Sequence, residues 1–209
     1  MKLKVCGMKY PQNIIALLQK PPDYMGLIFY EKSARHVEGI LDPNEVPPLG
    51  STQLVGVFVN ETEEYILEMA QMYTLQAVQL HGKETPAFCR SLRQKGLIVI
   101  KAFSIGKKAF DFSALKDYKG VVDYFLFDTK GEKPGGNGVR FQWETLNQYA
   151  EDIPFFLSGG ISPEHIHEIY AFHHPMLYAL DINSKFELEP GRKDIAKVHT
   201  FKQEIDSLK

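Results

Sequence analysis

Short apolar runs punctuate this chain at a regular interval. They are KLKVCG (2–7), MGLIFY (25–30), LVGVFVN (54–60), AVQLHG (77–82), LIVIKAF (97–103), YFLFDT (124–129), FFLSGG (155–160) and LYALDIN (177–183). Each is rich in branched and aromatic residues and apolar on successive positions, the pattern of a strand covered on both faces, as in a parallel sheet. They recur about every 20–30 residues, the length of one strand plus one crossover helix.

Helical patterns lie between most of the runs. In TEEYILEMAQMY, Ile66, Ala70 and Tyr73 fall at helical spacing. ETPAFCRSLRQKG carries Pro86 near its start and Gly96 at its end, the expected asymmetry of a helix. SPEHIHEIYAF opens on Ser162 as N-cap, with Pro163 at the first helical position. The last stretch, GRKDIAKVHTFKQEIDSLK, places Ile195, Val198, Phe201, Ile205 and Leu208 on one face. Eight strand–helix units predict an α/β fold, a compact (β/α)8 barrel spanning 1–209 as a single domain. The second unit, GILDPNEVPPLGST (39–52), contains three prolines, so its helix must be short or irregular. The helix near DFSALKDY, after the fifth strand, is also short.

Composition narrows the function classes. The chain has 209 residues, enough for one sizeable core, with 44% hydrophobic and 24% charged residues. Its net charge of −2, from 24 basic and 26 acidic residues, exerts no general pull toward nucleic acid or an anionic membrane. No apolar run approaches the roughly 20 residues of a membrane helix. MKLKVCGMKY meets a glycine and a lysine too soon for a signal peptide, so a cytoplasmic protein is expected. Two cysteines, Cys6 and Cys89, make no disulfide framework and fit a reducing compartment. His165 and His167 are two apart and share no helix face, and His173–His174 reads as a solvated pair, so no metal site is expected.

In a (β/α)8 barrel the chemistry sits where strands end. Those ends supply Cys6, Arg35 just beyond the second strand, His81, Asp128, the pair Gly159–Gly160 and Asp181, whereas interior strand positions read as nearly all apolar. In FLFDTKGEKPGG (125–136) a buried-looking strand runs into Asp128 and then a glycine-rich loop. Asp128 is either an ordinary turn residue or a carboxyl aimed into the barrel mouth, with GEKPGGNG (131–138) as a flap over it. SGGIS places two glycines between the seventh strand and a helix start, where backbone N–H groups can meet an anion. DINSK (181–185) adds amide, hydroxyl and ammonium donors after the eighth strand, the other usual phosphate grip of such barrels. A thiol with a reference pKa of about 8.5 and an aspartate of about 3.9 serve as base and acid only if their surroundings shift them. Cys6 has two level readings, a small buried hydrophobe and a base favoured by nearby positive charge. Cys89, inside a helical pattern, reads as a hydrophobe.

From KVCGMK (4–9) through GLIFYEKSARHV, VGVFVNE, AVQLHGKE, IVIKAF, LFDTKGEKPGGNG, FFLSGGISPE and ALDINSKFELEPGRKD, nearly the whole chain resembles the phosphoribosylanthranilate isomerase family of tryptophan biosynthesis. The resemblance implies an Amadori rearrangement of an N-(5-phosphoribosyl)anthranilate aminoaldose to the 1-deoxyribulose phosphate. Asp128 then matches the general acid that opens the furanose ring, and Cys6 the general base that removes the C2′ proton. Arg35 matches the arginine at the anthranilate end. Gly159, Gly160 and the loop with Asp181, Asn183 and Ser184 match the phosphate site, and His81 matches the histidine of the family's QLHG segment. No cofactor is implied; the partner is a small phosphorylated substrate, with a monomer or weak homodimer expected. The chain departs from the family pattern at Lys185, where a glycine is common, at MKY after CG, and in its short proline-rich second unit. Other readings are a metal-dependent epimerase, an indole-forming synthase, for which Lys101 lacks an evident glutamate at a neighbouring strand end, and a non-catalytic phosphate-binding barrel.

Overall fold

The structure, a computed structural model, describes residues 1–106, 110–129 and 142–207. Eight parallel strands close into a barrel in chain order: β1 (Lys2–Cys6), β2 (Tyr24–Ile28), β3 (Gln53–Phe58), β4 (Ala77–Leu80), β5 (Ile98–Ile105), β6 (Tyr124–Thr129), β7 (Phe155–Leu157) and β8 (Leu177–Ile182). Pairing of Lys4 with Asp181 on one side and Tyr24 on the other seals β1 between β8 and β2. All eight expected strands form, and the expected barrel with them.

The crossovers differ in weight. Helices α1 (Pro11–Leu17), α2 (Glu63–Met72), α3 (Pro86–Gln94), α4 (Ile166–Ala171) and α5 (Ile195–Ser207) follow β1, β3, β4, β7 and β8. Thr62 and Thr85 cap α2 and α3 by accepting from the N–H groups of Tyr65 (3.2 Å) and Phe88 (3.3 Å). Among the described residues, the crossovers after β2, β5 and β6 hold only 3-10 turns, at Pro43–Glu45, Phe112–Tyr118 and Trp143–Gln148. The first two are the segments that proline content and brevity single out. SPEHIHEIYAF is only partly α-helical, because it begins as a 3-10 turn over Pro163–His165. Between β8 and α5 the chain makes a 3-10 turn (Ser184–Phe186) and a small antiparallel hairpin, β9 (Glu187–Glu189) with β10 (Arg192–Lys193), that no sequence pattern announces.

Strand alternation decides which side chains face the mouth. On β6, Phe125 and Phe127 point outward and are fully buried, with Phe127 against Phe155 (5.2 Å) and Tyr149 (5.4 Å). Each such aromatic pair adds about 0.5–1.5 kcal/mol beyond area burial. Locking the phenylalanines outward turns Leu126 and Asp128 inward. Within the barrel, Tyr24, Val55, Ala77, Ile100, Ala102, Leu126, Phe156 and Ala179 form an apolar layer.

The interior is not apolar throughout, contrary to expectation. Lys4 (0% exposed), Gln79 (2%) and Asp181 (5%) form a polar layer. The Lys4 ammonium donates to Gln79 Oε1 and Asp181 Oδ1, both at 2.8 Å. Such a layer persists only because its members satisfy one another. In KLKVC, alternation sends Leu3 and Val5 out toward the helices and Lys4 and Cys6 in, a split hidden within an apolar run. The same rule corrects Lys101. Ile100 and Ala102 point inward, so Lys101 faces outward, and its partner is Glu84 from the loop after β4 (3.0 Å). The glutamate absent from the strand-end reading exists, but the pair lies behind the barrel wall rather than in the mouth.

Candidate active site

Cys6 ends β1 on the inner face, beside Ile28 and Val57. Its thiol occupies space that exists because residue 26 on β2 is glycine: a Cβ there would lie 2.8 Å from Sγ. Gly7 follows with φ of +74°, and a Cβ on it would meet Arg35 Cδ at 2.8 Å and Asn183 Oδ1 at 2.9 Å. That glycine lets the segments after β2 and β8 close over the end of β1. Burial pushes the Cys6 thiol above its ordinary range, while the positive charges of Lys4 and Lys193 pull the other way without overcoming it. Burial likewise works against charge on Lys4, but Asp181 and then Cys6 outweigh it and hold the ammonium above its usual range.

Asp128 is the penultimate residue of β6, three strands around the ring from Cys6 by way of β8 and β7. Its Oδ1 accepts from the Thr129 N–H at 2.8 Å, and Oδ2 faces His81 Nε2 at 3.4 Å. Gly159, at φ +91°, packs against the same carboxyl: a Cβ there would lie 2.9 Å from Asp128 Oδ1. His81 is anchored from behind, since Lys101 donates to the carbonyls of Leu80 (3.0 Å) and Gly82 (2.9 Å) on either side of it. In front, His81 Nδ1 meets Gln79 Nε2 at 2.9 Å. Asp181 therefore sits beneath the rim in the polar layer, engaged by Lys4 and by Ser158 Oγ at 3.3 Å.

The two loops read as an anion grip adjoin the same rim. Gly159 and Gly160 both have positive φ, +91° and +70°, and both are partly exposed. Asn183 and Ser184 are partly exposed after β8, with Lys185 exposed beside them. Lys185 does not adopt the left-handed backbone that favours glycine, so lysine is accommodated there without strain. The flap expected at 131–138 lies outside the described residues.

Arg35 belongs to a cluster that spacing did not reveal. Its Nε and Nη2 donate to both oxygens of Glu187, at 2.6–3.1 Å. Glu187 also accepts from Lys193 Nζ at 2.6 Å, and Lys193 donates to Asn183 Oδ1 at 2.7 Å. Burial raises the Glu187 carboxyl, but Arg35 and Lys193 outweigh it and hold it below its ordinary range. Burial pushes Lys193 down to about 8, against the attraction of Glu187. Lys4, Gly26, Gln79, Glu187 and Lys193 were thus missed as site residues. The signal for Lys4 was a charge within an apolar strand; Glu187 and Lys193 depend on the hairpin and had none.

Sequence and fold comparisons agree. The family model for N-(5'phosphoribosyl)anthranilate (PRA) isomerase matches residues 3–204. The N-(5'-phosphoribosyl)anthranilate isomerase of Parabacteroides distasonis is 48% identical over 209 residues, covering 98% of this chain and 93% of that protein. The crystal structure of phosphoribosyl anthranilate isomerase from Thermus thermophilus superposes with a TM-score of 0.85 at 26% identity, over 100% of both chains. A crystal structure of a phosphoribosyl anthranilate isomerase in complex with reduced 1-(o-carboxyphenylamino)-1-deoxyribulose 5-phosphate superposes with a TM-score of 0.80 at 29% identity, over 99% of each chain.

Proposed function

The chain belongs to the N-(5'-phosphoribosyl)anthranilate isomerase family of tryptophan biosynthesis, and on that premise we propose that Asp128 is its general acid and Cys6 its general base. The observation that carries this reading is the pair of strand ends: a thiol on β1 above Gly26 and a carboxyl on β6 facing His81, both turned into one mouth.

The chemistry follows from the positions. The Asp128 carboxyl gives its proton to the furanose ring oxygen, the C1′–O bond breaks, and the anthranilate nitrogen lone pair forms a C1′=N iminium. The Cys6 thiolate takes the C2′ proton, and that electron pair forms the C1′=C2′ bond of a neutral enolamine. Loss of the O2′ proton and gain of one at C1′ give the ketone, with no net change in protons. Burial favours the thiol before substrate binds. The iminium places a positive charge beside the sulfur and adds to the pull of Lys4 and Lys193, so the thiol releases its proton to solvent at that step, and the proton then taken from C2′ restores the thiol. Arg35 takes the anthranilate carboxylate, and the Gly159–Gly160 and Asn183–Ser184 segments take the phosphate through backbone and side-chain donors.

The test is loss of anthranilate-type fluorescence when freshly generated phosphoribosylanthranilate meets the purified protein without added metal. An enzyme-dependent rate that disappears in Asp128→Asn, with a product analogue still bound, is expected. Turnover retained in Asp128→Asn would remove the carboxyl from the acid role.

A further inference from the structure

Lys4, Gln79 and His81 are joined in a fixed order of donors and acceptors. An ammonium can only donate, so the Gln79 amide must turn its oxygen toward Lys4, as it does at 2.8 Å. The NH2 end then faces His81 Nδ1 at 2.9 Å, and that nitrogen has to be the acceptor. The ring proton is left on Nε2, the nitrogen that faces Asp128 Oδ2. A second ring proton on Nδ1 would meet an amide N–H; reversing the amide would set its NH2 against the Lys4 ammonium. Both escapes are closed by burial, because Lys4 and Gln79 are 0% and 2% exposed. Asp181 holds Lys4 in its charged form from β8.

We propose that Gln79 and Lys4 are positioning residues that lock His81 as the neutral, Nε2-protonated tautomer, so that it never confronts Asp128 with an imidazolium. This rests on the reading of Asp128 as general acid, and it gives that reading a physical condition. A cation 3.4 Å away would hold the carboxyl ionised and unable to give a proton. A neutral N–H orients the carboxyl and favours its ionised form far less than a cation does. The titratable groups around the ring pull in opposite directions: Lys4 on β1 disfavours a second positive charge, Asp128 on β6 and Asp181 on β8 favour one, and Cys6 on β1 is a thiol, so the Gln79 amide decides the tautomer. Lys101 and Glu84 neutralise each other behind the wall.

The experiment is two-bond 15N–1H NMR of the full chain labelled at histidine, with His81 identified among the seven histidines by a His81→Gln variant. In the wild type at about pH 7, His81 is expected to show an unprotonated Nδ1 and a protonated Nε2. An Nδ1-protonated or doubly protonated ring would overturn the proposal. Gln79→Glu puts an acceptor against Nδ1 and is expected to give a doubly protonated ring. It should also move the basic limb of the kcat–pH profile down by about one unit or more, as an adjacent cation does to a carboxyl. Gln79→Leu, which removes the donor but not the volume, should give mixed tautomers with a smaller loss of kcat. A doubly protonated ring in Gln79→Glu with an unmoved kcat profile would sink the link to Asp128. Because the NMR signature belongs to the free protein, it stands or falls independently of whether Asp128→Asn abolishes turnover.

Discussion

Arg35 and Glu187 form a bidentate ion pair across the rim, with Nη2 2.6 Å from Oε2 and Nε 2.9 Å from Oε1. Nη1 is the end of the guanidinium that this pairing leaves for an incoming carboxylate. Charge-assisted bonds are worth about 1.5–3 kcal/mol, so Arg35→Ala should raise KM by roughly 10–100-fold with a smaller change in kcat. Glu187→Gln should raise KM by less, by loosening the arginine without removing it. Steady-state kinetics by fluorescence measures both; an unchanged KM in Arg35→Ala would make the pair a loop brace only.

The same cluster predicts a pH signature of stability. Lys193 has a folded value of about 8 against an ordinary 10.5. Between those values the unfolded chain binds a proton that the folded chain does not, so stability from this group rises with pH, by about 1.4 kcal/mol per unit at most. Wild type should therefore gain thermal midpoint relative to Lys193→Met between about pH 7.5 and 9.5. A constant difference would contradict it. Glu187 acts in the opposite sense: its depressed value contributes stability above the ordinary 4.5 that is lost as pH falls through the folded value. Glu187→Gln should lack that acid-side loss.

Gly26 is predicted to be intolerant for a local reason. A methyl group there would lie 2.8 Å from Cys6 Sγ and 3.1 Å from Cys6 Cα. Crowding of this kind costs about 1–3 kcal/mol. Gly26→Ala should keep the barrel, by circular dichroism, while kcat falls at least about tenfold as the sulfur is pushed aside. Normal kcat would mean that the thiol's placement is not limiting.

Cys6 should be slow to alkylate. Burial holds it as a thiol above its ordinary range. Its modification rate should stay low near neutral pH and climb only at a higher pH than for an ordinary exposed cysteine. Fast alkylation near neutrality would mean the lysines outweigh burial. In turnover, Cys6→Ser should lose about 10²–10⁴-fold, the usual contribution of a general base.

The barrel was legible because its strands are short, continuous apolar runs at even spacing, a pattern that a closed parallel sheet requires and few others do. Cys6, Arg35, His81, Asp128 and the glycine pair were legible as polar or glycine positions at strand ends. Lys4 and Gln79 were not, since period-two alternation places them inward inside segments whose neighbours are apolar. Lys101 misled for the same reason, in the outward direction. Glu187 and Lys193 depend on a hairpin after β8 whose turn, LEPGRK, carries no alternation to register it.

Among the described residues, the crossovers after β5 and β6 hold 3-10 turns where a barrel usually has helices, and the strand bearing Asp128 is clad by rings. Phe127 touches Phe112 and Phe110 at 6.3 Å, and Tyr149 spans Phe112 at 6.1 Å and Phe155 at 5.5 Å. A helix can slide slightly against a sheet and keep its hydrogen bonds, whereas interlocked rings have no such slack. A smaller residue at Phe112 would therefore loosen the packing behind the strand that carries Asp128.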